Sequence, residues 1–351
     1  MKMKRIRTKT DLAAQMKKVA KKEVEKKKEY DGNTDIMIST GSTLLDLAIS
    51  GGRVRGGGLP GGILVEVFGP SGSGKTVLLS EIAGAVQRRG GEIMFNDPEA
   101  RLNKTFAQLF DLDTDSIEYN IPNTVTEVFT AVREWQPKSK QINGVFTDSL
   151  AALSTDLEMD NKDGDKMGMR RAKEFSEELR KVCRILTKNN LLMVCSNQIR
   201  ENADAGMYSE KTISPGGKAI GFYASVRLRT KNPKKIKETV RVAGKEVQRV
   251  IGVEVEFEVY KNSVWKPYRT APLVILFDYG IDDVRTNLQF IKDHTKNNVY
   301  TVKDITLDKS MNVSIKMVEE QNLEKKLRRQ VIDLWESIEA MFDSNRKKKE
   351  R

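Results

Sequence analysis

Apolar runs and helical patterns alternate through the first 280 residues. Residues 63–68 (Ile-Leu-Val-Glu-Val-Phe) form a nearly continuous apolar run, as in a strand covered on both faces, and the helical pattern 77–86 follows. Residues 92–95, 116–120, 142–147 and 191–195 also read as strands. Helical patterns fall at 103–110, 125–135 and 171–188, the last with Phe175, Leu179, Val182 and Leu186 on one face. Asn123 or Thr124 is the expected cap of the second of these. A short helical pattern at 44–48 and a glycine-rich crossing at 51–62 lead into the first strand. Strands alternating with helices of this length predict an α/β fold with a mostly parallel twisted sheet covered by helices on both faces. Ligands of such sheets bind beyond the carboxyl ends of the strands.

From residue 225 the pattern changes. Val253, Val255, Phe257 and Val259 alternate with Glu254, Glu256 and Glu258, as in a half-exposed antiparallel strand. With 239–242 and the Ala243-Gly244-Lys245 turn, this predicts an antiparallel hairpin that extends the sheet, and 272–277 supplies a further strand. Beyond 280, a helix at 282–294, a hairpin within 299–313 and an amphipathic helix at 323–342 predict a small α+β unit. The expected division is a basic N-terminal helical arm (1–35), an α/β core (36–280) and a small C-terminal α+β domain with a basic tail (281–351). In the arm, Leu12, Met16, Val19 and Val24 give a sparse stripe that needs a neighbour to cover it, such as a second copy of the chain.

Charge adds a partner class. The 351 residues hold 61 Lys+Arg against 49 Asp+Glu, a net charge of +12, which points to a polyanion but does not separate nucleic acid from acidic protein or membrane surface. Residues 1–30 contain twelve Lys/Arg against four Asp/Glu, and residues 346–351 are also basic. Cys183 and Cys195 fall in apolar patterns and read as core thiols, while the single His294 lacks partners for a metal site. No apolar run reaches membrane-spanning length and no signal peptide opens the chain, so a cytoplasmic location is expected.

The chemistry centres on residues 69–76. Gly69, Pro70, Ser71, Gly72, Ser73, Gly74, Lys75 and Thr76 spell the full phosphate-loop pattern between a predicted strand and a predicted helix. There the backbone N–H groups surround phosphates at the positive end of a helix, Lys75 reaches the β/γ-phosphates, and Thr76 ligates Mg²⁺. A nucleoside triphosphate with Mg²⁺ is therefore the expected ligand. Asp148 ends a predicted strand and is the candidate second carboxylate for Mg²⁺. Glu99 is the first candidate to deprotonate the attacking water, with Asp97 second. Gln198, at another strand end, is placed to sense the γ-phosphate at the root of the segment 200–215.

Five strings then carry a resemblance: Ile38-Ser-Thr-Gly-Ser, Asp97-Pro-Glu-Ala, Asp148-Ser-Leu-Ala-Ala-Leu, Asn197-Gln-Ile-Arg and Gly216-Gly-Lys-Ala-Ile-Gly-Phe-Tyr-Ala-Ser-Val-Arg. With the phosphate loop, they make the chain resemble the RecA family of DNA strand-exchange ATPases from about residue 36 to 281. The resemblance implies that the triphosphate is ATP, that Glu99 is the general base, that Lys75, Thr76 and Asp148 serve phosphates and Mg²⁺, and that Gln198 is the γ-phosphate sensor. Phe106 falls where the family places an aromatic against adenine. The family completes its site across a protomer interface with two lysines of a Lys-Asn-Lys string; here Lys261-Asn262-Ser263 supplies only the first, and Lys266 is the candidate replacement for the second.

The resemblance also implies a helical homo-oligomeric filament on single-stranded DNA that pairs with duplex DNA, assisted by a loading mediator or single-strand-binding protein. Two segments would bind DNA: 156–171, with Arg170 and Arg171 and Lys173 close behind, and 200–218, with Arg200, Met207, Tyr208, Lys211, Gly216, Gly217 and Lys218. The arm is shorter than the family's, and the acidic tail common among bacterial members is replaced by a basic one, as would suit a phage-encoded member. Two alternatives share the core: a ring helicase or recombination mediator, and a DNA-coating filament with weak ATPase.

Overall fold

The computed structural model describes residues 36–154, 167–201, 212–213, 217–344, 346–347 and 349. Helix α1 (Thr43–Ser50) is wholly buried and starts where the Ser42 side chain accepts from the Leu45 N–H. Strand β1 (Leu64–Gly69) leads into α2 (Lys75–Arg88), then β2 (Ile93–Asn96), α3 (Lys104–Gln108), β3 (Glu118–Asn120) and α4 (Val125–Glu134). Of the two cap candidates for α4, Thr124 is the one whose side chain accepts from Glu127 N–H. Strand β4 (Asn143–Thr147), helix α5 (Met167–Asn189) and strand β5 (Leu191–Gln198) follow, then the short pair β6 (Arg200–Glu201) and β7 (Thr212–Ile213) and helix α6 (Gly217–Tyr223). A long hairpin, β8 (Val226–Val242) and β9 (Lys245–Asn262), precedes β10 (Thr270–Leu276), β11 (Gly280–Ile281) and α7 (Asp283–Asp293). The described chain closes with β12 (Thr301–Val302), β13 (Ile305–Thr306), α8 (Met311–Glu320) and α9 (Glu324–Met341).

The main sheet runs β11-β10-β9-β8-β1-β5-β4-β2-β3. From β8 to β3 the neighbours are parallel; β9, β10 and β11 add antiparallel strands beyond β8. Both faces are covered, because alternate residues of β1 enter different apolar clusters. Val65 and Val67 pack with Leu78 and Ile82 of α2, while Leu64 packs with Phe129 of α4 and Phe175 of α5. The α/β class and the hairpin extension read from the sequence are thus present.

Three local expectations differ. The hairpin spans residues 226–262, far more than the turn and the alternating stretch alone suggested, because its outer part pairs with exposed polar residues that carry no apolar signal. Helix α5 begins at Met167, four residues ahead of the helical pattern read at 171–188. The hairpin expected at 299–313 reduces to β12 and β13, and Met311 instead opens α8. There the spacing of Met311, Ile315 and Val318, which pack into or against the core cluster, is helical. The same cluster takes Leu327, Val331 and Trp335 of α9.

Asp46 on α1 is fully buried and faces α9. It accepts from Ser39 Oγ (2.5 Å), Thr40 N–H (2.7 Å) and Thr40 Oγ1 (2.8 Å), and Arg328 Nη2 lies 3.4 Å away. Burial pushes its carboxyl up to about 6, with the hydrogen bonds and Arg328 acting the other way. The native carboxyl therefore holds its proton at a pH where the unfolded chain has released it. Its contribution to stability is fully present below about pH 4 and is lost as pH rises through about 6. Asp46→Asn cannot titrate, so it should gain on the parent by on the order of 2 kcal/mol between pH 4 and pH 6.5. Urea unfolding across that range measures the difference, and a pH-independent gap contradicts the assignment.

Candidate nucleotide-binding site

The loop 69–76 leaves the carboxyl end of β1 and turns into α2. Gly74, the residue before α2, has φ 78°, and a Cβ there would meet Ile275 Cδ1 at 2.2 Å. The left-handed backbone favours glycine here, and a side chain would also displace the Ile275 tip. At Gly69 the backbone (φ 156°) and contact act together, since a Cβ would lie 1.8 Å from Thr230 Oγ1. That Thr230 hydroxyl, on β8, donates to Ser73 Oγ at 2.8 Å, and Ser73 Oγ donates to Pro70 O at 2.7 Å. The neighbouring strand thus holds the loop in shape.

Lys75 is buried, and its ammonium donates to the carbonyls of Gly69 (3.1 Å) and Pro70 (2.7 Å). Burial holds its pKa below the usual lysine range, with the Asp148 carboxylate opposing. Thr76 Oγ1 donates to Asp148 Oδ2 at 2.5 Å, and Ser196 Oγ donates to Asp148 Oδ1. These three residues come from α2, the end of β4 and β5. They meet because β4 and β5 pair in parallel, with Thr147 opposite Cys195.

A cavity of about 380 Å³ opens over the loop, within the size range of small-molecule sites. Ser71, Gly72, Ser73, Gly74, Lys75 and Thr76 line it together with Glu99, Phe106, Asp148 and Gln198. The sequence therefore named most of the lining. Gly69 and Pro70 stand at the root of the loop, where their carbonyls hold Lys75. Phe106 meets Phe110 edge-on at 5.0 Å, which orients its ring at the cavity. Asp97, the second candidate base, is 2% exposed and accepts from Leu102 N–H (2.7 Å) and Tyr119 Oη–H (2.9 Å). It anchors the turn that carries Glu99 and does not line the cavity.

Several lining residues escaped the sequence reading. Arg101 is two positions beyond Glu99 and pairs with it; Ser196 precedes Asn197-Gln198 in a string already singled out. Val253, Ile275 and Phe277 form an apolar wall from β9, β10 and the turn after it. Their alternation was visible, but nothing in it tells a core face from a ligand wall.

The oxygen donors suit a hard cation. Thr76 and Asp148 are adjacent, and Ser149 Oγ, buried on the cavity wall, has no hydrogen-bond partner among the described residues. No group of three or more His, Cys, Asp or Glu able to hold a metal occurs among the described residues. One carboxylate and one hydroxyl completed by substrate phosphates and water is a Mg²⁺ arrangement.

Other predicted residues lie elsewhere. Lys261 does not line the cavity; its ammonium donates to Gly221 O (2.9 Å) and Phe222 O (2.8 Å) at the carboxyl end of α6. Lys266, the candidate replacement cation, faces Glu339 at 4.0 Å and Asp343 at 3.6 Å. Arg170 and Arg171 fall in the first turns of α5, and Lys173 is exposed on the same helix, 3.9 Å from Glu177. Arg200 is in β6, and Gly217 and Lys218 open α6. Met207, Tyr208, Lys211 and Gly216 lie outside the described residues, as does the arm at 1–35.

Comparison with known proteins places this geometry. The profile of the RecA N-terminal domain matches residues 8–282. The chain belongs to the RecA family. Within that family, Protein RecA of Thermus thermophilus is 35% identical over 248 residues, covering 71% of this chain and 69% of that protein. Protein RecA of Borrelia hermsii is 33% identical over 244 residues, covering 70% and 65%. The crystal structure of the RadB recombinase aligns with a TM-score of 0.49 at 20% identity, over 70% of this chain and 98% of that one. No helix among the described residues is long and apolar enough to cross a membrane.

Asp148→Asn keeps the shape of the side chain and removes the charge between Thr76 and Ser196. It should weaken nucleotide binding in the presence of Mg²⁺ by about tenfold while leaving binding in EDTA nearly unchanged, one lost charge-assisted contact being worth on the order of 1.4 kcal/mol. Titration with a fluorescent nucleotide measures both, and an equal loss with and without Mg²⁺ contradicts the metal role.

Proposed function

We propose that the chain is an ATP-dependent homologous recombination protein. It polymerises as a helical filament on single-stranded DNA, pairs that strand with homologous duplex, and couples exchange to ATP hydrolysis. The observation that carries this reading is the meeting, in one cavity of a RecA-family chain, of the phosphate loop, Thr76 beside Asp148, Glu99 and Gln198. Each comes from the carboxyl end of a parallel strand or the segment just after it.

Lys75 and the loop N–H groups hold the β/γ-phosphates, and Phe106 with the apolar wall takes the nucleoside. Mg²⁺, when bound at Thr76 and Asp148, supplies positive charge to the phosphate oxygens. Glu99 accepts a proton from water as the water oxygen bonds to the γ-phosphorus; the bond to the bridging oxygen breaks and ADP leaves. Gln198 sits opposite Gly69 in the β1–β5 register, with one residue between it and β6. A contact from it to the γ-phosphate would reach the segment 200–218, to which DNA contact is assigned together with Arg170, Arg171 and Lys173. Lys261 is assigned to the phosphates of an adjacent protomer.

Glu99→Gln keeps size and polarity but cannot take the proton. ATP turnover should fall about 10²–10³-fold while ATP binding and homologous pairing with bound ATP persist. A strand-exchange assay with homologous and heterologous duplexes, run beside a turnover assay, checks this. Unwinding of a forked duplex without homology would overturn the recombinase reading in favour of a helicase. Filaments whose turnover ignores DNA would favour a coating role.

A further inference from the structure

Among the described residues, two cationic side chains line the nucleotide cavity: Lys75 and Arg101. Lys75 belongs to the phosphate loop, and Arg101 has no part in the mechanism above. Arg101 Nη2 lies 2.9 Å from Glu99 Oε1, the carboxylate assigned to the attacking water. The turn carrying both is fixed from beneath by buried Asp97, which accepts from Leu102 and Tyr119, while Ala100 N–H donates to Asp97 O at 3.1 Å. Ala100, between the two, has φ 50°, a conformation that residues with a Cβ rarely adopt. Such backbone persists where surrounding contacts over-determine it.

The pair itself is lightly held. The Arg101 side chain is 69% exposed and that of Glu99 26%, so water screens the attraction. Most of the five guanidinium N–H donors remain for another acceptor. A terminal phosphate carries more charge than a carboxylate and matches the guanidinium fork, so it competes for Arg101 when it enters the cavity.

We propose that Arg101 is a nucleotide-state switch for Glu99. Without a triphosphate it occupies the carboxylate, and with one it moves to the γ-phosphate oxygens, which leaves Glu99 to accept the proton of the attacking water. A diphosphate lacks those oxygens, and Glu99 stays paired. The change is an exchange of ion-pair partners with no covalent step. Toward Glu99, Arg101 is a positioning residue; toward the substrate it is a phosphate contact that favours ATP over ADP. The inference rests on the ATPase reading.

Binding of fluorescent ATP and ADP analogues to the full chain tests it, using the parent, Arg101→Ala, Arg101→Lys, Glu99→Gln and the double variant Arg101→Ala/Glu99→Gln. Arg101→Ala should lower ATP affinity about tenfold, the size of one lost charge-assisted contact, and leave ADP affinity within about twofold. Unchanged ADP affinity also shows that the variant is folded. Arg101→Lys should recover part of the ATP preference. Glu99→Gln should tighten ATP binding in the parent background and not beside Arg101→Ala, because only the parent has a guanidinium to release. An unaltered ATP/ADP ratio in Arg101→Ala, or additive effects in the double variant, overturns the switch while leaving the ATPase reading intact. A parent chain that binds neither nucleotide overturns both.

Discussion

Glu66 is a fully buried carboxylate in the middle of a strand otherwise apolar on both faces, three residues before the phosphate loop. Its charge is met from both neighbouring strands: Arg227 Nε donates from β8 at 2.6 Å, and Asn197 Nδ2 donates from β5 at 3.1 Å. The guanidinium of Arg227 also lies 4.4 Å from the centre of the Phe68 ring. Removing either charged partner of such a pair costs about 3–5 kcal/mol, because the other stays buried without compensation. A one-residue slip of β1 would turn Glu66 to the opposite face of the sheet. The bridge therefore fixes the register that sets Gly69 opposite Gln198 and Phe68 opposite Asn197. With β4 and β2 aligned beside them, Thr147 opposite Asn96, the carboxyl ends from which the loop, Asp148, Glu99 and Gln198 arise are held level.

The same bridge ties the pocket to what lies next to it. Asn197 and Gln198 are consecutive, one holding Glu66 and the other lining the cavity, and β6 follows after a single residue. On the far side, Arg227 is the second residue of β8, just beyond α6, whose Gly221 and Phe222 carbonyls are held by Lys261 of β9. Arg227 also lowers the pKa of Lys261, second to burial. On the two sides of the segment 200–218, Gln198 lines the cavity, and Asn197 and Arg227 make the bridge. The proposed function uses this adjacency: it assigns Gln198 to the γ-phosphate and the segment that follows it to DNA.

Much of the site was legible because its chemistry needs particular residues at particular spacings. A phosphate loop between a strand and a helix allows few alternatives, and Asp148 and Gln198 each follow an apolar run that the strand–helix alternation reads as a parallel strand. Arg101 and Ser196 were not legible, since an arginine two residues after an acid and a serine before an amide carry no spacing rule. The role of Asp97 was misjudged for a related reason: sequence gives proximity to Glu99 but not burial, and its bonds to Leu102 and Tyr119 come from packing against β3. The outer hairpin was under-read because exposed polar strands lack the apolar alternation that marks a half-buried one. Helix α8 was missed because its apolar positions, Met311, Ile315 and Val318, are few, and the helix draws its stability from the core that also takes α7 and α9.

The central claim is that the cavity over residues 69–76 drives work on DNA and is not an isolated hydrolase site. Steady-state ATP turnover by the full chain, measured with Mg²⁺ in the absence and presence of single-stranded DNA, tests it most directly. The account predicts low turnover alone and a clear rise on adding the strand, steeply weakened by salt. Turnover that is the same with and without DNA would contradict it.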